Sequence, residues 1–155
     1  VGPEINIHGR GLLKWLVSRD GVADGWRNAI WTGVTTLELA KAIEAQVAGA
    51  INEVGIWQFV PEETITKADL ISLMNTAFLK NRLTINRIPG SAHDRSLVND
   101  RPTSWPIPTY SLMLDELQTW VRDHQDLYQG TLFKLPYGLQ PRFFPDRETT
   151  HFLSQ

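Results

Sequence analysis

The side chains able to do acid–base, nucleophilic or metal chemistry are spread thinly along these 155 residues. The four histidines, His8, His93, His124 and His151, stand far apart. No two of them share the one-turn spacing that puts a pair of imidazoles on one helix face for a metal. Serine, histidine and aspartate are all present, as in any chain of this length, with no local pattern that marks a nucleophile beside its base. Gly9 and Gly11 stand two apart. They lack the third glycine, the preceding strand and the downstream acid of a dinucleotide loop, and no Walker-type lysine motif occurs. The six tryptophans offer ring faces for sugars or bases. Trp57 and Trp120 fall on expected core faces and read as packing, whereas Trp15, Trp26, Trp31 and Trp105 suit either role. With no cysteine, disulfides and thiolate metal sites are excluded, and a reducing compartment, hence a cytoplasmic location, is the expectation.

The elements that must position such residues belong to an ordinary globular chain. Its apolar fraction of 42% supports one domain with a core. Fifteen basic and seventeen acidic residues leave a net charge of −2, which gives no field to draw nucleic acid or an anionic membrane. No apolar run approaches the roughly 20 residues of a membrane helix. The opening Val1-Gly2-Pro3-Glu4 has neither the basic start nor the apolar stretch of a signal peptide, and the absence of an initiator Met makes a piece of something longer the expectation.

Along the chain, helical stretches alternate with short strand-like ones, which predicts an α/β or α+β class with about four helices and two or three short strands. The first helix is expected over 11–19, with Leu12, Leu13, Leu16 and Val17 inward, stopped by Asp20-Gly21. A glycine-bearing loop through Gly25 follows, then a short strand at Ala29-Ile30-Trp31. Thr35 opens a second helix with a capping-box spacing to Glu38, and Leu39, Ala40, Ile43 and Val47 form its apolar stripe to about Ala48. Residues 55–60 read as a strand ended by Pro61. Thr66 caps a third helix, with Leu70, Leu73, Met74, Ala77 and Phe78 inward. A strand at 83–88 stops at Pro89-Gly90. The proline-bearing stretch 91–108 reads as a binding loop or a crossing segment. A last helix runs from Tyr110 to about Arg122, with Met113, Leu114, Leu117, Trp120 and Val121 as its buried face.

Taken in order, these segments resemble the C-terminal portion of dTDP-4-dehydrorhamnose reductase-like proteins, sugar-nucleotide reductases of the extended short-chain dehydrogenase family. Val1-Gly2-Pro3-Glu4 resembles the segment that leads into their substrate domain. Gly11-Leu12-Leu13-Lys14-Trp15-Leu16 is similar to the helix after it. The most specific stretch is Asn28-Ala29-Ile30-Trp31-Thr32-Gly33-Val34-Thr35-Thr36-Leu37-Glu38-Leu39-Ala40, which looks like a substrate-lining strand running into a capped helix. Residues 55–60 with 65–70 resemble the next strand and helix, and Asp94-Arg95-Ser96-Leu97 the late Arg-Ser-Leu segment. The resemblance covers residues 1–128, and 129–155 form a tail outside it.

The resemblance implies a nucleotide-sugar substrate, with NAD(P) on a Rossmann half that these residues do not contain. The family's Tyr-x-x-x-Lys pair is also missing: Tyr110, Tyr128 and Tyr137 are followed four residues on by Leu114, Leu132 and Pro141. Hydride transfer needs cofactor, carbonyl and proton donor together, so the chain is expected to hold substrate without turning it over. A diphosphate suits the fork of an arginine. Arg95 is the first candidate and otherwise a surface arginine paired with Asp94 or Asp100; Ser96 stands beside it. Arg27 is the second candidate, or else a solvated loop charge. Asn28 and Trp31 stand where the family lines its cleft, to bond hydroxyls and cover a ring, or simply to pack. Glu4 reaches substrate or stays a surface acid, and Asn6 is near the family's usual asparagine position without matching it clearly. Two other readings are a stand-alone binding module and an interaction domain whose Phe143-Phe144-Pro145 segment packs on a partner. Separated from a Rossmann half, the domain is expected to show an apolar patch and to self-associate.

Overall fold

The structure is a computed structural model that describes residues 1–4, 9–51, 54–101 and 105–128. It is a small α+β domain. Its elements, in chain order, are helix α1 (Leu12–Val17), strands β1 (Val22–Trp26) and β2 (Ala29–Trp31), helix α2 (Thr36–Val47), strand β3 (Ile65–Thr66), helix α3 (Lys67–Leu79), strands β4 (Thr84–Ile88) and β5 (His93–Arg95), helix α4 (Tyr110–Asp123) and a 3-10 turn at Gln125–Tyr128. The expected tail at 129–155, Asn6 and the Phe143-Phe144-Pro145 segment lie outside the described residues.

Helix α3 is the hub, in contact with α1, α4, β1 and β4. Ile71 and Met74 from α3, Leu13 and Leu16 from α1, and Met113, Leu114, Leu117 and Val121 from α4 are fully buried against one another. The Thr66 hydroxyl accepts from the Asp69 backbone N–H and so satisfies one of the unpaired donors that open α3. Asn75 closes the far end. Its buried amide donates to the Leu83 carbonyl at 2.8 Å and accepts the Leu83 N–H at 3.1 Å, which ties the end of α3 to the start of β4.

The segment expected to be a glycine-bearing loop through Gly25 is strand β1. Its buried positions are Ala23 and Gly25, too small to announce a strand, because α3 lies directly on them. A Cβ at Gly25 would fall 2.7 Å from the Ala68 Cα. Strand β1 pairs in parallel with β4, from Val22↔Thr84 to Trp26↔Ile88. Strand β2 pairs in parallel with β5, from Ala29↔His93 to Trp31↔Arg95, and antiparallel with β3. Partner numbers differ by 62 in the first pair and by 64 in the second. The later chain therefore carries two extra residues where the ribbon crosses from one sheet to the other. The crossing is stitched by Arg27 and Asn28, whose N–H groups donate to the Ile88 and Pro89 carbonyls, and by the His93 N–H, which donates to the Asn28 carbonyl. Gly90 lies in the excess at φ 64°, pressed on the Trp26 indole.

Four other expectations change. Among the described residues, 55–60 pair with no strand: Val54 and Ile56 are exposed, and the Val60 carbonyl takes its hydrogen bond from the Asn99 side chain. The stretch 91–108 contains β5, concealed because all three of its residues are polar and exposed. Helix α2 is turned relative to its apolar stripe. Leu39, Ile43 and Val47 are 44%, 56% and 84% exposed, while Glu38 is the buried residue. The Thr35 hydroxyl does accept from the Glu38 N–H, but the Glu38 carboxylate does not reach back to the cap. It accepts from Trp105 Nε1 at 2.8 Å and from Lys41 Nζ at 3.3 Å. Neither Trp57 nor Trp120 belongs to the core. Trp57 is half-buried under the Arg101 guanidinium, and Trp120, 38% exposed, stacks on the His124 ring at a centroid distance of 3.7 Å.

Candidate functional site

The β2–β5 pairing brings two of the expected residues together. Trp31 and Arg95 are register partners and project from the same face of the sheet, as directly paired residues do. Trp31 is half-buried, tilted against Tyr110 with centroids 6.2 Å apart, and Gly33 lies so close that a side chain there would enter the indole. Packing thus holds one side of the ring. Arg95 is exposed, and among the described residues it makes no ion pair with Asp94, Asp100 or any other acid.

The segment that carries Arg95 is held at several points. The Asp94 carboxylate accepts from the Ser96 N–H at 2.9 Å and from the Ser96 hydroxyl at 2.6 Å, an Asx-type turn. These bonds, the hydroxyl's first, hold the Asp94 carboxyl below its ordinary value despite a small opposing effect of burial. Two residues on, the buried Thr32 hydroxyl accepts the Leu97 N–H at 2.7 Å and lies 3.2 Å from the Leu97 carbonyl, to which it donates. Among the described residues Arg95 is therefore a guanidinium without an ion pair, on a fixed backbone. Ser96 commits its hydroxyl proton to Asp94, so its part is to shape the turn.

Asn28 and Arg27 sit at the crossing of the two sheets, both exposed, with their backbone groups engaged as described. Glu4 is used elsewhere. Its carboxylate accepts the Gly11 N–H at 2.7 Å at the start of α1, and Gly9 and Gly11 both press against it. The two glycines thus make room for a carboxylate. That arrangement does not fit the pyrophosphate of NAD(P), which the negative charge of Glu4 would repel.

Leu97 leads from the Arg95 segment into a cleft of about 800 Å³, whose walls are residues 60–64, 97–101 and 105–110. Val60, Pro61, Leu97, Ile107 and Pro108 give it apolar surface, and Glu62, Glu63 and Asp100 supply its carboxylates. Tyr110 lines its border, and the Tyr110 hydroxyl accepts the Gly33 N–H at 3.4 Å. Burial pushes this phenol above its ordinary value, the Gly33 N–H works against that, and Glu63 adds to it. The hydroxyl stays protonated near neutral pH and keeps a hydrogen to donate. Sequence reading missed Thr32, Asp94 and Tyr110. Only Asp94 carried a local signal, the Asp-x-Ser spacing of an Asx turn.

Among the described residues no three acidic or histidine side chains gather to hold a metal ion, and no helix is long and apolar enough to cross a membrane. Comparison with known protein families, with curated proteins and with solved structures finds no match to this chain.

Proposed function

We propose that this chain is the nucleotide-sugar-binding portion of a cytoplasmic NAD(P)-dependent sugar-nucleotide reductase or epimerase, with the cofactor and the chemistry on a Rossmann half. The observation that carries the reading is Arg95, an exposed guanidinium without an ion-pair partner among the described residues, on a backbone pinned by Asp94 and Thr32 and in register with Trp31. A diphosphate is the ligand that such a fork suits. The neighbouring cleft has a different character. Its three carboxylates outnumber its one cation, Arg101, and disfavour a second anion, so the sugar, rich in hydroxyls, is the part directed there, towards Asn99 and Tyr110.

Calorimetric titration with dTDP-, UDP- and GDP-sugars tests the reading. One of them is expected to bind weakly and without turnover. Arg95→Ala should weaken that binding by about 1.5–3 kcal/mol, the range for a hydrogen bond to a charged group. A folded protein that binds none of them at millimolar concentration, or binds one equally well without Arg95, removes the reading.

The exposed stripe Leu39, Ile43 and Val47 supports a second reading, an interaction module that docks through α2 and catalyses nothing. Nucleotide-sugar binding that survives charged substitutions on α2 separates the two.

A further inference from the structure

Strand β5 has the sequence His-Asp-Arg, exposed throughout, and forms the edge of its sheet. Side chains alternate along a strand, so His93 and Arg95 share the face that carries Trp31, and Asp94 takes the opposite face, where Ser96 engages it. Ser91 joins the row from the loop before the strand, with its hydroxyl 2.9 Å from His93 Nε2. That bond fixes the ring and always leaves a donor over. If the hydroxyl donates to Nε2, the Nδ1–H is free; if Nε2–H donates to the hydroxyl oxygen, the serine O–H is free. Same-face neighbours on a strand stand about 6.6 Å apart, within reach of one another for an imidazole and a flexible guanidinium. Ser91, His93 and Arg95 thus form a line of hydrogen-bond donors on a face with no acid of β5 on it, flanked by the crossing where the exposed Arg27 sits.

We propose that Ser91, His93 and Arg95 form a two-point diphosphate subsite, in which Arg95 takes one phosphoryl group and the Ser91–His93 pair the other. This rests on the reading of the chain as a nucleotide-sugar binder and adds residues to that same site. The competing role for a polar edge strand is protection against strand-to-strand aggregation, which requires no ligand.

Inorganic pyrophosphate and orthophosphate, titrated into the whole chain by calorimetry, test the subsite directly. Pyrophosphate should bind at least 10-fold more tightly than orthophosphate, because only it spans both points. His93→Ala and Ser91→Ala should each weaken pyrophosphate 3- to 10-fold and narrow that preference. Arg10→Ala, an exposed charge away from β5, should leave it unchanged, and thermal melts should show all variants folded. Equal affinity for the two anions, unchanged pyrophosphate binding in both His93→Ala and Ser91→Ala, or an equal loss in Arg10→Ala overturns the proposal. A nucleotide sugar bound equally by wild type and His93→Ala would overturn the subsite and leave the broader reading standing. Pyrophosphate binding that needs His93, in a protein that binds no nucleotide sugar, would support the subsite and remove the broader reading.

Discussion

Gly90 meets two requirements at once. Its φ of 64° lies in the left-handed region, and the Trp26 indole occupies the space where a side chain would go. Either alone penalises a Cβ. Gly90→Ala is therefore expected to cost about 1–3 kcal/mol for the backbone alone, seen as a lower midpoint in urea, with further loss if Trp26 cannot move aside. An unchanged midpoint would mean that the crossing between the sheets relaxes freely. In the sequence, Pro89-Gly90 was legible as a stop but not as the start of a two-residue excess, because that excess is defined only against a partner strand more than sixty positions away. Thr32 was hidden for the same reason. Its hydroxyl acts on Leu97, 65 residues on. Arg95 and Trp31 were legible as residue types, while their pairing required the register.

At the scale of elements, the helices were legible because their signals are local. Thr35, Thr66 and Thr109 each cap the helix that follows by accepting an N–H three residues on. Strands β1 and β5 were not, since one buries only Ala23 and Gly25 and the other buries nothing. Helix α2 shows the limit of periodicity. The stripe of Leu39, Ile43 and Val47 is real, yet it faces outward, because the Glu38 carboxylate is drawn inward by Trp105 and Lys41. A period reveals that a face exists and not what covers it. Replacing Leu39, Ile43 and Val47 together with serine should change stability little beyond the loss of helix propensity, a few tenths of a kcal/mol at each position. The wild type is expected to self-associate at high concentration and the triple variant to remain monomeric in sedimentation equilibrium. Equal behaviour of the two would show that this face drives no association.

Across the whole molecule, one charged chain links parts that are far apart in sequence. Glu116 on α4 accepts from Lys41 Nζ at 2.6 Å, Lys41 donates to Glu38 on α2, and Glu38 accepts from Trp105 in the segment that borders the cleft. Partial burial works against the Lys41 charge, but the Glu116 and Glu38 carboxylates outweigh it and raise the ammonium above its ordinary value of 10.5. The sign of the pH effect follows from linkage. A cationic group held more tightly in the folded state contributes fully below its unfolded value and loses that contribution as pH rises through its folded value. Melting temperatures of the wild type and Glu116→Gln should therefore differ by a constant amount from pH 7 to about 10 and converge above 10.5 as Lys41 gives up its proton. The other lysines and the tyrosines titrate in both proteins, so the difference between the two curves isolates this link. Because Lys41 is about one-third exposed, solvent screens the pair, and the offset is expected to be small and to shrink further in high salt. An offset that persists unchanged to pH 12 would place the contribution of Glu116 in packing, and the charged chain would then not be what fastens α2 and the cleft wall to α4.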